Sequence, residues 1–350
     1  MTSEATSSIP LAFRRQAASC LELGSPFTYR LLTLLADRLR PSTSVGQRLL
    51  DWPDNPIEDA LGLRIAGALH ALVLKGASPS LREHYPPNPQ TSDNDLWDAV
   101  AKAFERHDQD ILQFIESPPQ TNEVARSAAL ASGFMTIAAQ TSLPLAIFEI
   151  GASAGLNLHW DSFGYKLGGR HIRATENRPL LQPAWQGPPP PIADAVVIER
   201  GGCDRRPIDL GSPSETLRLR AYIWPDQIDR QARLDQALKT AELSPVLVDE
   251  ADATYWARER LAPSRKDVAT VLFHSIVWQY ILADDQARLE TIILAAGQRA
   301  TRRAPFAWLR MEPQSSKAAA LHLTLWPDGR TSHLADVDYH GRWINWRHLV

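Results

Sequence analysis

The sequence predicts an α/β protein: an all-helical N-terminal domain, residues 1–140, then residues 141–350 as a mostly parallel sheet that ends in an antiparallel hairpin. Three observations predict it. Up to residue 140 apolar residues recur at helical spacing. Beyond residue 144 short apolar runs alternate with helical stretches, as in a sheet with helices on both faces. Near the C-terminus, Pro327-Asp328-Gly329-Arg330 lies as a turn between two strand-like runs.

The helices follow from caps and stripes. Ser25 and Pro26 form an N-cap and first-turn pair, Leu31, Leu35 and Leu39 repeat every four residues, and Pro41 ends the segment. Asn55 and Pro56 start the next helix, with Leu61, Ile65, Leu69 and Val73 on one face and Gly76 as the stop. A third stripe runs through Trp97, Val100, Ala101 and Phe104 and resumes at Ile111, Phe114 and Ile115 before Pro118. A further helix spans about 122–140. The strands expected are 145–149, 195–199, 246–249, 268–273 and 305–310, with a helical connector at 222–242 and a hairpin of 322–326 with 331–338. An insertion at about 162–194 carries the proline-rich 179–191, which excludes helix and interior strand.

The 350 residues suffice for two domains, and 44% hydrophobic with 22% charged residues is ordinary globular composition. A net charge of -3 gives no general attraction for nucleic acid. Cys20 and Cys203 form no disulfide framework or zinc spacing and fit a reducing, cytoplasmic setting. The start, MTSEATSSIP, lacks the pattern of a signal peptide, and no apolar run reaches the ~18 residues of a membrane span.

The most informative stretch is Leu145 to Leu158, LAIFEIGASAGLNL: an apolar run ends in Glu149, and a small-residue turn from Gly151 to Gly155 opens a helix. Small residues let a ligand approach the backbone, and unpaired N–H groups at a helix start face it. With the strand order, this turn resembles class I S-adenosylmethionine-dependent methyltransferases, whose Rossmann-like sheet has five parallel strands and a terminal hairpin. Their motif, acidic-apolar-Gly-x-Gly-x-Gly, is filled from Glu149 to Gly155 except that Ser153 replaces the middle glycine. The whole chain also resembles a bacterial family called domain of unknown function 2332, through QTNEVARSA at 120–128, FEIGASAGLNLHWD at 148–161, ERGGCDRRPIDL at 199–210, YIWPDQIDRQARL at 222–234, HSIVWQY at 274–280 and WLRMEP at 308–313.

The methyltransferase resemblance implies S-adenosylmethionine as cofactor and a methyl acceptor that these motifs do not identify. It assigns Glu149, Gly151, Ala152, Ser153, Gly155 and Asn157 to the amino-acid part of the cofactor. Glu199 or Asp204 would meet the ribose, Asp204 being chosen, and Asp252 the adenine; the competing expectation for Asp252 is a helix N-cap. His274 would be the general base, against the reading of a satisfied structural histidine. Ser275 and Trp278 beyond it, with Asn122, Glu123 and Arg126 before the first strand, would face substrate, although Asn122 and Glu123 also suit helix capping. The groups at 224–227 and 308–312, with Arg230, invite the same reading. Asp336, Asp338 and His340 are read as a solvated edge rather than a metal site. Two other functions compete. Gly151 to Gly155 spells the Gly-x-Ser-x-Gly of a serine hydrolase, with Ser153, Asp249 or Asp252, and His274 or His333 in order; or the fold binds a nucleoside, or acts as a scaffold, without catalysis.

Overall fold

A computed structural model describes residues 8–88, 91–173 and 178–347. Residues 1–7, where no leader is expected, and 174–177 of the insertion lie outside the described residues. Two compact units form: Met1–Thr121 with Gly211–Ala232, and Asn122–Leu210 with Arg233–Val350.

The first unit contains α1 (Ile9–Glu22), α2 (Pro26–Arg38), α3 (Ser44–Leu50), α4 (Leu61–Leu74), α5 (Pro79–His84), α6 (Asp93–Arg106) and α7 (Asp108–Ile115). The Ser25 hydroxyl caps α2 at Thr28 N, as its sequence suggests. Asn55 and Pro56 instead make a turn, with Asn55 Oδ1 accepting from Ile57 N at 3.0 Å, and the helix begins only at Leu61. The stripes meet in one core that includes Leu31, Leu35, Ile65, Leu69, Val100 and Phe104. Residues 211–232 return to this unit rather than to the sheet. Tyr222 lies 2.8 Å from where a side chain on Gly67 would begin, Ala221 O meets His70 Nδ1 at 3.1 Å, and Asp226 accepts from Ser25 Oγ at 2.5 Å and Phe27 N at 2.8 Å. The group at 224–227 thus has a structural duty in the helical core.

The second unit begins with a short 3-10 turn at Val124–Arg126 and α8 (Ser127–Thr141), which groups with the sheet although its sequence reads as part of the helical domain. Its small residues permit close packing: Leu309 lies 2.6 Å from the position a Gly133 side chain would take. Then follow β1 (Leu145–Ile150), β2 (Gly164–Leu167), β3 (Arg170–Ile172), β4 (Leu180–Leu181), β5 (Ala184–Gln186) and β6 (Val197–Asp204). After α9 (Pro213–Ala221) in the first unit come α10 (Ile228–Leu243), β7 (Val248–Glu250), α11 (Ala253–Leu261), β8 (Ala269–Ser275), α12 (Ala283–Arg299) and β9 to β12 (Phe306–Pro313, Ala319–Trp326, Arg330–Val337, Trp343–Trp346).

Among the described residues the main sheet runs β5-β12-β11-β10-β9-β8-β1-β6-β7. β7, β6, β1, β8 and β9 are mutually parallel, and β9, β10, β11 and β12 form an antiparallel meander. This is the expected Rossmann-like α/β architecture, with β12 and the edge strand β5 added. β1 is buried at all six residues, which is why it reads as an apolar run broken only by Glu149. Taken in chain order the parallel strands stand third, second, first, fourth, fifth, so the order reverses between β1 and β8. In such sheets ligands bind beyond the carboxyl ends at the reversal.

Candidate functional site

The bend after β1 sits at that reversal, but it is packed rather than open. Gly151 (φ 67°) and Gly155 (φ 70°) hold the left-handed backbone that glycine tolerates, and Ser153 (φ 54°) is held there against its side chain's preference. A side chain on Gly151 would start 2.4 Å from Val277 Cγ2, and one on Gly155 2.9 Å from Val248 Cγ2. Ala152, Ser153 and Ala154 are buried. Four N–H groups of the bend are used within the protein: Ala152 N donates to Cys203 O, Ser153 N to Asp204 Oδ2, Gly155 N to Ala152 O and Leu156 N to Asn122 Oδ1, all at 2.7–3.0 Å. The following helix is a seven-residue 3-10 segment, Leu156–Ser162, not an α-helix. The expected cradle of free backbone donors is therefore corrected: the glycines admit two valines, and what faces the reversal is side chains.

Those side chains form a buried polar nest. Glu149, the penultimate residue of β1, is 1% exposed, and its Oε2 has no hydrogen-bond partner. Burial pushes its pKa well above the ordinary 4.5; Arg126 opposes the rise, Asp204 adds to it, and a hydrogen bond from Asn157 opposes it. Ser127 Oγ donates to Asn157 Oδ1 at 2.7 Å, which leaves the Asn157 amide N–H to face the acid. Arg126 is itself tied to Tyr339 O at 3.1 Å and Ser275 O at 3.2 Å. Asn122, Arg126, Glu149, Ser153, Asn157, Asp204 and Ser275 are thus joined in one region. Glu123, rather than Asn122, caps the 3-10 turn, at Ala125 N. Ser127, buried at the centre of the nest, is the residue sequence reasoning passed over; its signal was adjacency to Arg126.

At the end of β8 the geometry answers the two readings of His274. The ring is fully buried; Nδ1 lies 2.6 Å from Glu312 Oε1, and Nε2 lies 3.0 Å from Trp308 Nε1. An indole N–H only donates, so Nε2 is the acceptor and Nδ1 carries the proton toward Glu312. Trp278 stacks on the ring with centroids 5.1 Å apart. Glu312 also accepts from Val277 N at 3.2 Å and Trp278 N at 3.3 Å, fixing the loop after β8. Both nitrogens being engaged, His274 holds Glu312 and the loop instead of presenting a base, which corrects the catalytic expectation.

The remaining candidates sort by their contacts. Asp204 accepts one N–H on each oxygen, from Ser153 and Arg206, both at 2.9 Å. Asp252 is the N-cap of α11, accepting from Thr254 N and Tyr255 N, so the capping expectation accounts for it. Ser153 Oγ, the would-be hydrolase nucleophile, is buried without a hydrogen-bond partner, so no imidazole or carboxylate activates it. Asp338 is corrected from solvated to 2% exposed, with Arg342 at 2.7 Å, while Asp336 pairs with Arg347 at 2.8 Å. Among the described residues no group of three or more His, Cys, Asp or Glu could hold a metal ion, and no helix is long and apolar enough to cross a membrane.

The family model described as an uncharacterized protein conserved in bacteria, DUF2332, matches residues 11–346, and the chain belongs to that family. No curated protein matches it.

Proposed function

We propose that this DUF2332 protein binds S-adenosylmethionine beyond the carboxyl ends of β1 and β8 and transfers its methyl group to an acceptor. The observation that carries the reading is the buried, partnerless Oε2 of Glu149 at the strand reversal. A buried acid in that state is destabilising, and an ammonium group is a ligand that would satisfy it. Glu149, oriented by Asn157, would hold the amino-acid end of the cofactor. Asp204 has committed two of a carboxylate's roughly four acceptor sites, and the other two suit ribose hydroxyls. When bound, the sulfonium supplies a methyl group already activated for transfer. The chain's own work is then to align the acceptor and exclude water.

A second reading, binding without catalysis, is favoured by one observation: His274, the expected base, has both ring nitrogens engaged. Calorimetric titration of S-adenosylmethionine and S-adenosylhomocysteine into wild type and Glu149→Gln tests the binding site common to both. Binding to wild type, weakened at least tenfold in the folded variant, is expected; wild type that binds neither compound sinks the proposal. Incubating wild type with methyl-labelled cofactor and acceptor pools then separates transfer from binding alone. Gly151→Val is a poor probe, because Val277 already fills the space its side chain would need.

A further inference from the structure

The antiparallel half of the sheet carries a row of arginine and histidine side chains, continuing from His274, that the proposed cofactor site does not use. Pairing sets His274 opposite Arg310, Arg310 opposite His322, and His322 opposite His333, across β8 to β11. The adjoining row is Trp308, Thr324 and Thr331. Opposed residues share one face of a sheet, so a protonated His322 would stand beside the Arg310 guanidinium, which is ordinarily unfavourable. The arrangement is compact: the Arg310 guanidinium lies 4.1 Å over Trp308, its Nη1 donates to Thr324 Oγ1 at 2.9 Å, and the Thr324 and Thr331 hydroxyls are 2.8 Å apart. The His322 and His333 rings stand 4.5 Å apart.

The acids around this face are engaged by other members of the row and by Arg347, not by Arg310. Glu312 holds His274; Asp336 meets His333 Nε2 at 3.0 Å and Arg347 at 2.8 Å. Glu290 of α12 attracts Arg310 through space, but is exposed and forms no ion pair with it. Arg310 is thus a half-buried guanidinium whose hydrogen-bond partner is one neutral hydroxyl, although it carries five N–H donors and buried charges are normally paired. The local field agrees: burial, then repulsion from His333, Arg310 and Arg347, lowers the His322 pKa to about 4, with Asp336 opposing.

We infer that Arg310, Thr324, Thr331 and His322 form a binding site for a small tetrahedral oxyanion, a phosphate or sulfate group. The guanidinium offers paired N–H donors suited to such an ion, and exposed Thr331 with part-exposed His322 and His333 leaves the patch open to solvent. Phosphate free in solution and phosphate carried on a small monoester share this chemistry.

Sulfate is the sharpest probe, since it stays doubly charged while His322 titrates. The full chain is followed by imidazole NMR against sulfate, glycerol 3-phosphate and acetate, with chloride at matched ionic strength. Sulfate should raise the His322 pKa by a unit or more in wild type. The effect should weaken at least tenfold in Arg310→Gln and about threefold in Thr331→Val, which leaves Arg310 in place should the first variant not fold. A stronger response to glycerol 3-phosphate than to sulfate assigns the site to a monoester. A His322 that sulfate moves no more than chloride does, or an equal response to acetate, overturns the inference.

Discussion

The carboxyl ends of β1 and β8 lie side by side in one sheet, yet their buried polar groups are treated in opposite ways. At β8 the imidazole of His274 has an acceptor and a donor, and its partner Glu312 holds two backbone N–H groups besides. At β1 a carboxylate oxygen of Glu149 and the hydroxyl of Ser153 are buried with no partner. A satisfied buried network rigidifies the structure. An unsatisfied group is a standing penalty of about 1–3 kcal/mol, which a bound ligand would relieve. The contrast assigns structure to one strand end and binding to its neighbour.

The largest expected effect tests the structural side. His274→Ala would strand the Trp308 N–H, leave Glu312 Oε1 with Val277 N as its donor, and open a cavity between two tryptophans. A loss of about 3 kcal/mol follows from the unmade hydrogen bonds and the missing volume. Urea denaturation at neutral pH reads it directly. A midpoint within error of wild type would mean that the β8 network is dispensable and the contrast false.

Glu149→Gln should move stability the other way. The folded-state pKa of Glu149 is raised above its unfolded value near 4.5, chiefly by burial. The folded protein therefore holds this proton more tightly, and the acid's contribution to stability falls as pH rises from about 4.5 toward the folded pKa. Wild type and variant should match near pH 4. By pH 7 the variant should be the more stable, the gap widening by about 1.4 kcal/mol with every pH step of one across that window. Urea midpoints over the same range measure it. A gap that stays flat with pH would show that Glu149 is not held in the strained state that the ligand reading needs.

Legibility in the sequence tracked how local the cause was. β1 was readable because a strand buried on both faces is nearly all apolar, Glu149 excepted, and α2 because its Ser25-Pro26 start is a local device. The hairpin announced itself through Asp328-Gly329, where Gly329 takes φ 67°. What escaped depends on distant partners. β12 has four residues and β5 three, too few for a period, and they exist by pairing with each other and with β11. The return of 211–232 to the helical unit rests on Tyr222 meeting Gly67 and Asp226 meeting Ser25. At the site, the acids were visible as residue types, but whether a nitrogen or oxygen is free is a tertiary property. Trp308 and Glu312 decide it for His274 from a strand more than thirty residues away.

Asp252 supplies the smallest effect and the finest division between capping and binding. Its Oδ1 receives the Thr254 and Tyr255 N–H groups at 2.9 and 3.3 Å, and its other oxygen lies 3.6 Å from Arg205 in an exposed ion pair. The cap carries most of its contribution, because an exposed ion pair adds little. Asp252→Ala should lower stability by about 1 kcal/mol, with cofactor affinity changed less than twofold. Denaturation and calorimetry on the same preparation give both numbers. An affinity loss of tenfold with an unchanged melting point would return Asp252 from the helix cap to the adenine side of the site, and would extend the binding region from the end of β1 to that of β7.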